Sequence, residues 1–185
     1  MTDRPDVRLY WDANCFLSYV NGIPDRLPDL DALLAEANRG EVEILTSTIS
    51  IVEVAFGQAE QDNKQLDPDV ETALNELWSP SSPIDLVEFY PQIAQRAKDL
   101  MRSGLPKEWN LKPMDAIHLA TAQHLEATYF HTYDEKLDRY AAEIGIPIVK
   151  PTAVRPLLPW PVEKLGAGSG NVEGVNATPE GSDGE

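Results

Sequence analysis

Five short apolar runs recur along the chain, VRLYW at 7–11, VEILT at 42–46, IDLVEF at 84–89, TYFHTY at 128–133 and IPIVK at 146–150. Each is separated from the next by one or more segments of helical length. Strands that follow one another through helices pair in parallel, because a parallel pair needs a long crossover connection. The alternation therefore predicts an α/β sandwich with a central, mainly parallel sheet flanked by helices.

The intervening segments read as follows. ANCFLSYV after Asp12 predicts a first helix, stopped by Asn21 and Gly22. Leu30, Leu33, Leu34 and Ala37 recur at helical spacing, and Arg39-Gly40 closes that helix. Ile49, Val52 and Phe56 predict an amphipathic helix ending near Gly57. A polar acidic stretch from Glu60 to Glu71 leads to a helix at ETALNELW, and SPSSP at 79–83 is a loop. Ile93, Ala97 and Leu100 place a helix at 91–103. PMDAIHLATAQHLEA opens with proline in its first turn, where the missing N–H costs nothing. DEKLDRYAAEI reads as the last helix.

The 185 residues suffice for one sizeable core. That core is expected within residues 1–151; residues 152–185 form a Pro/Gly-rich, acidic tail expected to be largely disordered. Cys15 is the only cysteine, so thiol frameworks and cysteine-based zinc sites are excluded. No apolar run approaches the roughly 20 residues of a spanning helix, and MTDRPDVRLYW lacks the features of a signal peptide. A reducing cytoplasm is the expected compartment, and no membrane partner is expected.

The net charge of −16 argues at first against a polyanionic partner, but its distribution matters more. Residues 29–90 carry fourteen acids and two bases, whereas residues 91–160 carry eight and nine. The central block suits a basic partner. A phosphate-facing surface is expected in the later segment, at Lys98, Arg102, Lys107 and Lys112, with Lys98 and Arg102 four apart on one helix face.

Four acids stand where strands give way to helices: Asp12 after the first strand, Glu53 after the second, Asp115 in the first turn of its helix, and Asp134 after TYFHTY. Singly, each has a bland explanation. Asp12 and Asp134 read as N-caps, Ser50–Glu53 and Thr132–Glu135 as capping boxes, and Asp115 as a helix-dipole partner. Jointly they say more, because the carboxyl ends of parallel strands lie along one edge of a sheet. Four acids are then expected at one crevice with almost no base nearby. Crowded carboxylates call for a hard divalent cation, Mg²⁺ with Mn²⁺ as substitute, and such a site suits phosphodiester hydrolysis.

In order and context, YWDANCFLSYV, TSTISIVEVAFG, KPMDAIHLATA and YFHTYDEKL before GIPIVKP resemble the PIN-domain ribonucleases, in particular the VapC-type toxins of toxin–antitoxin pairs. The likeness spans residues 7–151. It implies a metal-dependent endoribonuclease with Asp12 and Asp115 as principal metal ligands. Glu53 would bind metal directly or through water, Asp134 would complete the site, and Asn14 and Thr132 would support the acids by hydrogen bonding. It also implies an RNA substrate, an antitoxin protein and a homodimer. The rival reading is a PIN-fold binding module that docks a partner on its acidic face with little or no nuclease activity.

Other features read as structural. His118 and His124 are six apart on one helix and point in different directions, so His118 is expected at the helix surface or pocket rim. Cys15 reads as a small buried apolar side chain. Trp11, Trp78, Trp109 and Trp160 lack the regular spacing of a base-stacking platform and are expected in the core or at hinges.

Overall fold

The computed structural model describes residues 5–153, which belong to one compact unit. The tail expected over 152–185 lies, from residue 154 onward, outside the described residues, as does Trp160. Five strands form the sheet: β1 (Arg8–Trp11), β2 (Glu43–Ser47), β3 (Ile84–Val87), β4 (Tyr129–His131) and β5 (Ile148–Val149). Their order is β3-β2-β1-β4-β5, and every pairing is parallel. The chain thus builds outward from β1 on one side, then returns to pair β4 with β1 on the other. The β1/β4 boundary is the topological switch point, where the crevice of an open α/β sheet lies at the strand carboxyl ends.

Eight helices connect the strands: α1 (Ala13–Val20), α2 (Leu27–Asn38), α3 (Ser50–Glu53), α4 (Gln58–Asn63), α5 (Pro68–Leu77), α6 (Pro91–Gly104), α7 (Pro113–His124) and α8 (Ala141–Ile144). Short 3₁₀ helices cover Leu105–Lys107 and Glu135–Tyr140.

Side chains alternate across the sheet with a period of two. Leu9 and Trp11 of β1 and Ile44 of β2 join Phe16, Leu30 and Leu33 from α1 and α2 in one core. Tyr10 and Leu45 face the other way and join Ile93, Leu100, Leu119 and Phe130 beneath α6 and α7. The central strands β1, β2 and β4 are buried on both faces and read as nearly continuous apolar runs, whereas the edge strand β3 leaves Asp85 and Leu86 exposed. Cys15 is a free, fully buried thiol in the first core, and Trp11 and Trp78 pack in the same core.

Two local expectations are corrected. The helix expected through Phe56 ends at Glu53, and Val52 and Phe56 are 76% and 49% exposed. Val54 is fully buried and takes the place in the core that the Ile49/Val52/Phe56 spacing assigned to them. The polar acidic stretch from Glu60 to Glu71, expected to lead to a helix at ETALNELW, already holds the first turn of α5 and overlaps α4. Its sequence, QAEQDN, has no apolar stripe; the buried Glu60 carboxylate organises it by accepting from the N–H groups of Gly57 (2.9 Å) and Asp67 (2.6 Å).

Candidate active site

β1 ends at Trp11, paired with His131 at the end of β4, and the Asp12 N–H donates to the His131 carbonyl. The adjacent strands therefore release Asp12 and the Thr132–Asp134 segment side by side. Asp12 caps α1, its carboxylate accepting from the backbone N–H groups of Asn14 (3.0 Å) and Cys15 (3.3 Å). Its other oxygen accepts from the Thr132 hydroxyl (2.6 Å) and the Asn14 amide (3.2 Å). Asp12 is 3% exposed. Burial pushes its carboxyl above the usual carboxylate range, opposed by the Thr132 hydrogen bond and the nearby His118.

Thr132 also accepts from the Asp134 N–H (2.9 Å), while Asp134 accepts from the Lys136 N–H at the start of the 3₁₀ helix. Thr132 thus ties Asp12 to the Asp134 turn. The capping box read from Thr132 and Glu135 does not form, because Thr132 serves Asp12 and Glu135 pairs with Lys150. Asp115, in the first turn of α7, is half-buried. Its carboxyl is raised by burial first and then by the negative charges of Asp134 and Asp12, partly offset by Lys112 and His118. Asp115 therefore lies close enough to both Asp12 and Asp134 to feel their charges.

Glu53 takes a different role from the capping box read at Ser50–Glu53. The N-cap of α3 is Ile49, and Ser50 bonds Thr46. The Glu53 carboxylate reaches across to His118 Nε2 (2.7 Å), whose Nδ1 lies 2.8 Å from the Tyr10 hydroxyl. The Ser47 N–H also donates to that hydroxyl, and the ring donates from Nε2 to the Glu53 carboxylate. His118 is 2% exposed, not at the helix surface or rim. It is the site residue that the sequence reading missed. Its signal lay in the alanine-rich ATA and DAI stretches of α7, which mark a helix pressed from both sides, with Ala116, Ala120 and Ala122 all buried.

Of the expected phosphate-facing cations, Lys112 lines a cavity with Asp115 and Asp134. Lys107 pairs with Glu143 and sits over the Trp109 ring. Lys98 pairs with Asp99 on the exposed surface of α6, and Arg102 is exposed in its last turn.

Among the described residues, no group of three or more His, Cys, Asp or Glu side chains stands in an arrangement that could hold a metal ion. The donor chemistry nonetheless fits a hydrated hard cation. Mg²⁺ typically takes one or two carboxylates and retains several waters. Asp12, Asp115 and Asp134 supply oxygen donors, and a cation would relieve the repulsion that the first and last exert on Asp115.

An all-parallel sheet with Asp12, Asp115 and Asp134 at the carboxyl ends of its strands defines an α/β protein with an acid-lined crevice. The sequence profile of the PIN domain matches residues 9–143, most of the chain, and the protein belongs to the PIN-domain family. No protein of curated function matches the sequence. Solved structures share the fold. VapBC2 from Rickettsia felis, bound to a DNA fragment from its promoter, matches with a TM-score of 0.59 at 14% identity, covering 78% of this chain and 98% of that one. VapC20 from Mycobacterium tuberculosis, a sarcin-ricin loop cleaving toxin, gives 0.55 at 15% identity, covering 77% and 99%. FitAcB from Neisseria gonorrhoeae gives 0.55 at 14%, covering 77% and 97%. No helix among the described residues is long and apolar enough to cross a membrane.

Proposed function

We propose that the chain is a Mg²⁺- or Mn²⁺-dependent endoribonuclease and the toxin half of a toxin–antitoxin pair. The observation that carries this reading is the convergence of Asp12, Asp115 and Asp134 at the switch point, close enough that two of the charges push up the third carboxyl. Folds shared with VapC-type toxins support RNA as the substrate and an antitoxin as the partner.

When bound, the ion supplies an acidified water and positive charge facing the scissile phosphate. Asp12 and Asp115 would hold it, Glu53 directly or through water, and Asp134 would complete the set. Asn14 and Thr132 keep the Asp12 oxygens fixed, so the site need not reorganise when charge develops. His118 holds one Glu53 oxygen through Nε2 and so fixes the orientation of that carboxylate. No nucleophilic side chain is required, because water attacks and the carboxylates orient it. Lys98, Arg102, Lys107 and Lys112 would supply phosphate contacts along the RNA, and the acidic central block would face a basic partner.

Calorimetric titration of Mn²⁺ into the wild type, Asp12→Asn and Asp115→Asn tests the site without a known RNA. Binding that both substitutions abolish is expected. A folded wild type that binds no Mn²⁺ would overturn the metal-dependent reading. Asp115→Asn also separates the rival binding module, since it removes RNA cleavage by an enzyme while leaving a docking function intact.

A further inference from the structure

A cavity of about 310 Å³ opens beside the carboxylates, lined by Trp109, Lys112, Asp115, Asp134, Lys136 and Arg139. Its volume is at the small end of ligand pockets, room for a single nucleotide unit and not for a helix. The wall is built by the 3₁₀ helix that Asp134 caps. Side chains three apart eclipse in that geometry. Leu137 and Tyr140 accordingly point inward and are buried, while Lys136 and Arg139 stand together on the exposed side. Among the described residues, neither these two nor Lys112 is ion-paired. In a chain of net charge −16, a cavity where three cations without an ion pair among the described residues balance the acids Glu108, Asp115 and Asp134 is a local exception.

The aromatic side of the cavity is also fixed. Trp109 packs edge-to-face on Tyr140, with ring centroids 5.0 Å apart. Glu108 and Asn110 on either side of Trp109 both have positive φ, 57° and 49°, which holds the indole in a defined loop. A Cβ on Gly104 would stand 3.0 Å from the Tyr140 hydroxyl, so glycine there lets the two rings seat. That hydroxyl is buried without a hydrogen-bond partner among the described residues.

We infer that this cavity binds the nucleotide adjoining the scissile phosphate of a single-stranded RNA, with Lys112, Lys136 and Arg139 holding its phosphates and Trp109 contacting its base. The inference rests on the ribonuclease reading and adds to it a specificity-determining subsite. The division of labour follows from the charges: cations hold the flanking phosphates, which lets the polyanion approach carboxylates that would otherwise repel it. Aromatic contact to an unstacked base is the usual means of reading single-stranded RNA.

The test uses a fluorescein-labelled pool of short single-stranded RNAs of randomised sequence. Anisotropy in the Asp115→Asn background measures binding without cleavage. Adding Lys136→Ala with Arg139→Ala is expected to raise Kd by about tenfold or more and to reduce the salt slope by about 1.4, about 0.7 for each phosphate released. In the otherwise wild-type enzyme, Trp109→Leu is expected to change base preference at the position beside the cut, read by sequencing the cleaved ends. Unchanged Kd, salt slope and cleavage pattern in an enzyme that cleaves RNA would overturn the subsite and leave the ribonuclease reading standing. A wild type that cleaves no RNA, while binding still depends on Lys136 and Arg139, would overturn the nuclease reading and keep the cavity as an RNA site. Equal loss of affinity for a poly-glutamate peptide and for RNA would overturn nucleotide recognition in favour of simple charge attraction.

Discussion

The His118 ring bridges Glu53 and Tyr10, with Nε2 2.7 Å from the Glu53 carboxylate and Nδ1 2.8 Å from the Tyr10 hydroxyl. The Ser47 N–H also donates to the Tyr10 hydroxyl, and at the other end of the row the Glu53 carboxylate accepts from Nε2–H. His118→Leu removes that donor and frees Glu53 to rotate. Loss of a hydrogen bond that orients a metal-site residue typically costs about 10- to 100-fold in affinity or activity. We expect a loss of RNA cleavage in that range, with His118→Gln, whose amide can still donate to Glu53, falling between the two. Cleavage rates at saturating Mn²⁺ check it; equal rates for wild type and His118→Leu would remove Glu53 orientation from the mechanism.

Tyr10→Phe acts on the other end of the same row. It leaves the Ser47 N–H and His118 Nδ1 buried without their partner. An unsatisfied buried polar group costs about 1–3 kcal/mol. A fall in urea-unfolding stability of that size is expected, with little change in the m-value.

Thr132→Val keeps the shape of the side chain and deletes the hydroxyl shared by Asp12 and Asp134. Asp12 loses a 2.6 Å hydrogen bond inside the protein, and the Asp134 N–H loses its acceptor. Stability should drop by about 1–3 kcal/mol. Calorimetry should show Mn²⁺ affinity reduced by about tenfold, as expected for a support residue rather than a ligand.

The sheet and its acids were legible because their signals are local. Strands buried on both faces show as apolar runs, and in a parallel sheet a carboxylate just after a strand falls on the same edge as its neighbours. The role of Glu53 is less legible: the S-x-x-E spacing reads as a capping box, whereas Ile49 caps α3 and Glu53 reaches across to His118. His118 was misplaced because α7 is buried around most of its circumference, so no polar face exists for it to occupy. Helix α4 was invisible because hydrogen bonds to Glu60, not an apolar stripe, hold it.

The α6 face gives a separate test of the RNA path. Lys98 and Arg102 lie outside the lining of the cavity, and Lys98 is already beside Asp99. Lys98→Glu with Arg102→Glu is expected to weaken RNA binding and flatten its salt dependence, since each phosphate contact adds to the slope. An unchanged slope would confine the RNA to the cavity side.

Acid stability should carry the signature of His131. Its ring is almost wholly buried in the sheet, and desolvation alone lowers its pKa to about 3. The unfolded chain binds that proton near pH 6.5, its ordinary value. Between about pH 6.5 and 3 the unfolded state therefore holds more protons than the native state, and stability falls as pH falls, by up to about 1.4 kcal/mol per pH unit. Asp12 and Asp115 act with the opposite sign, because their raised pKa values let the native state take protons more readily. The difference between wild type and His131→Leu cancels the carboxylates and isolates the imidazole. Urea midpoints from pH 7.5 down to about 4 should converge on a flatter acid limb in His131→Leu. Parallel curves would mean that His131 accepts its proton within the fold.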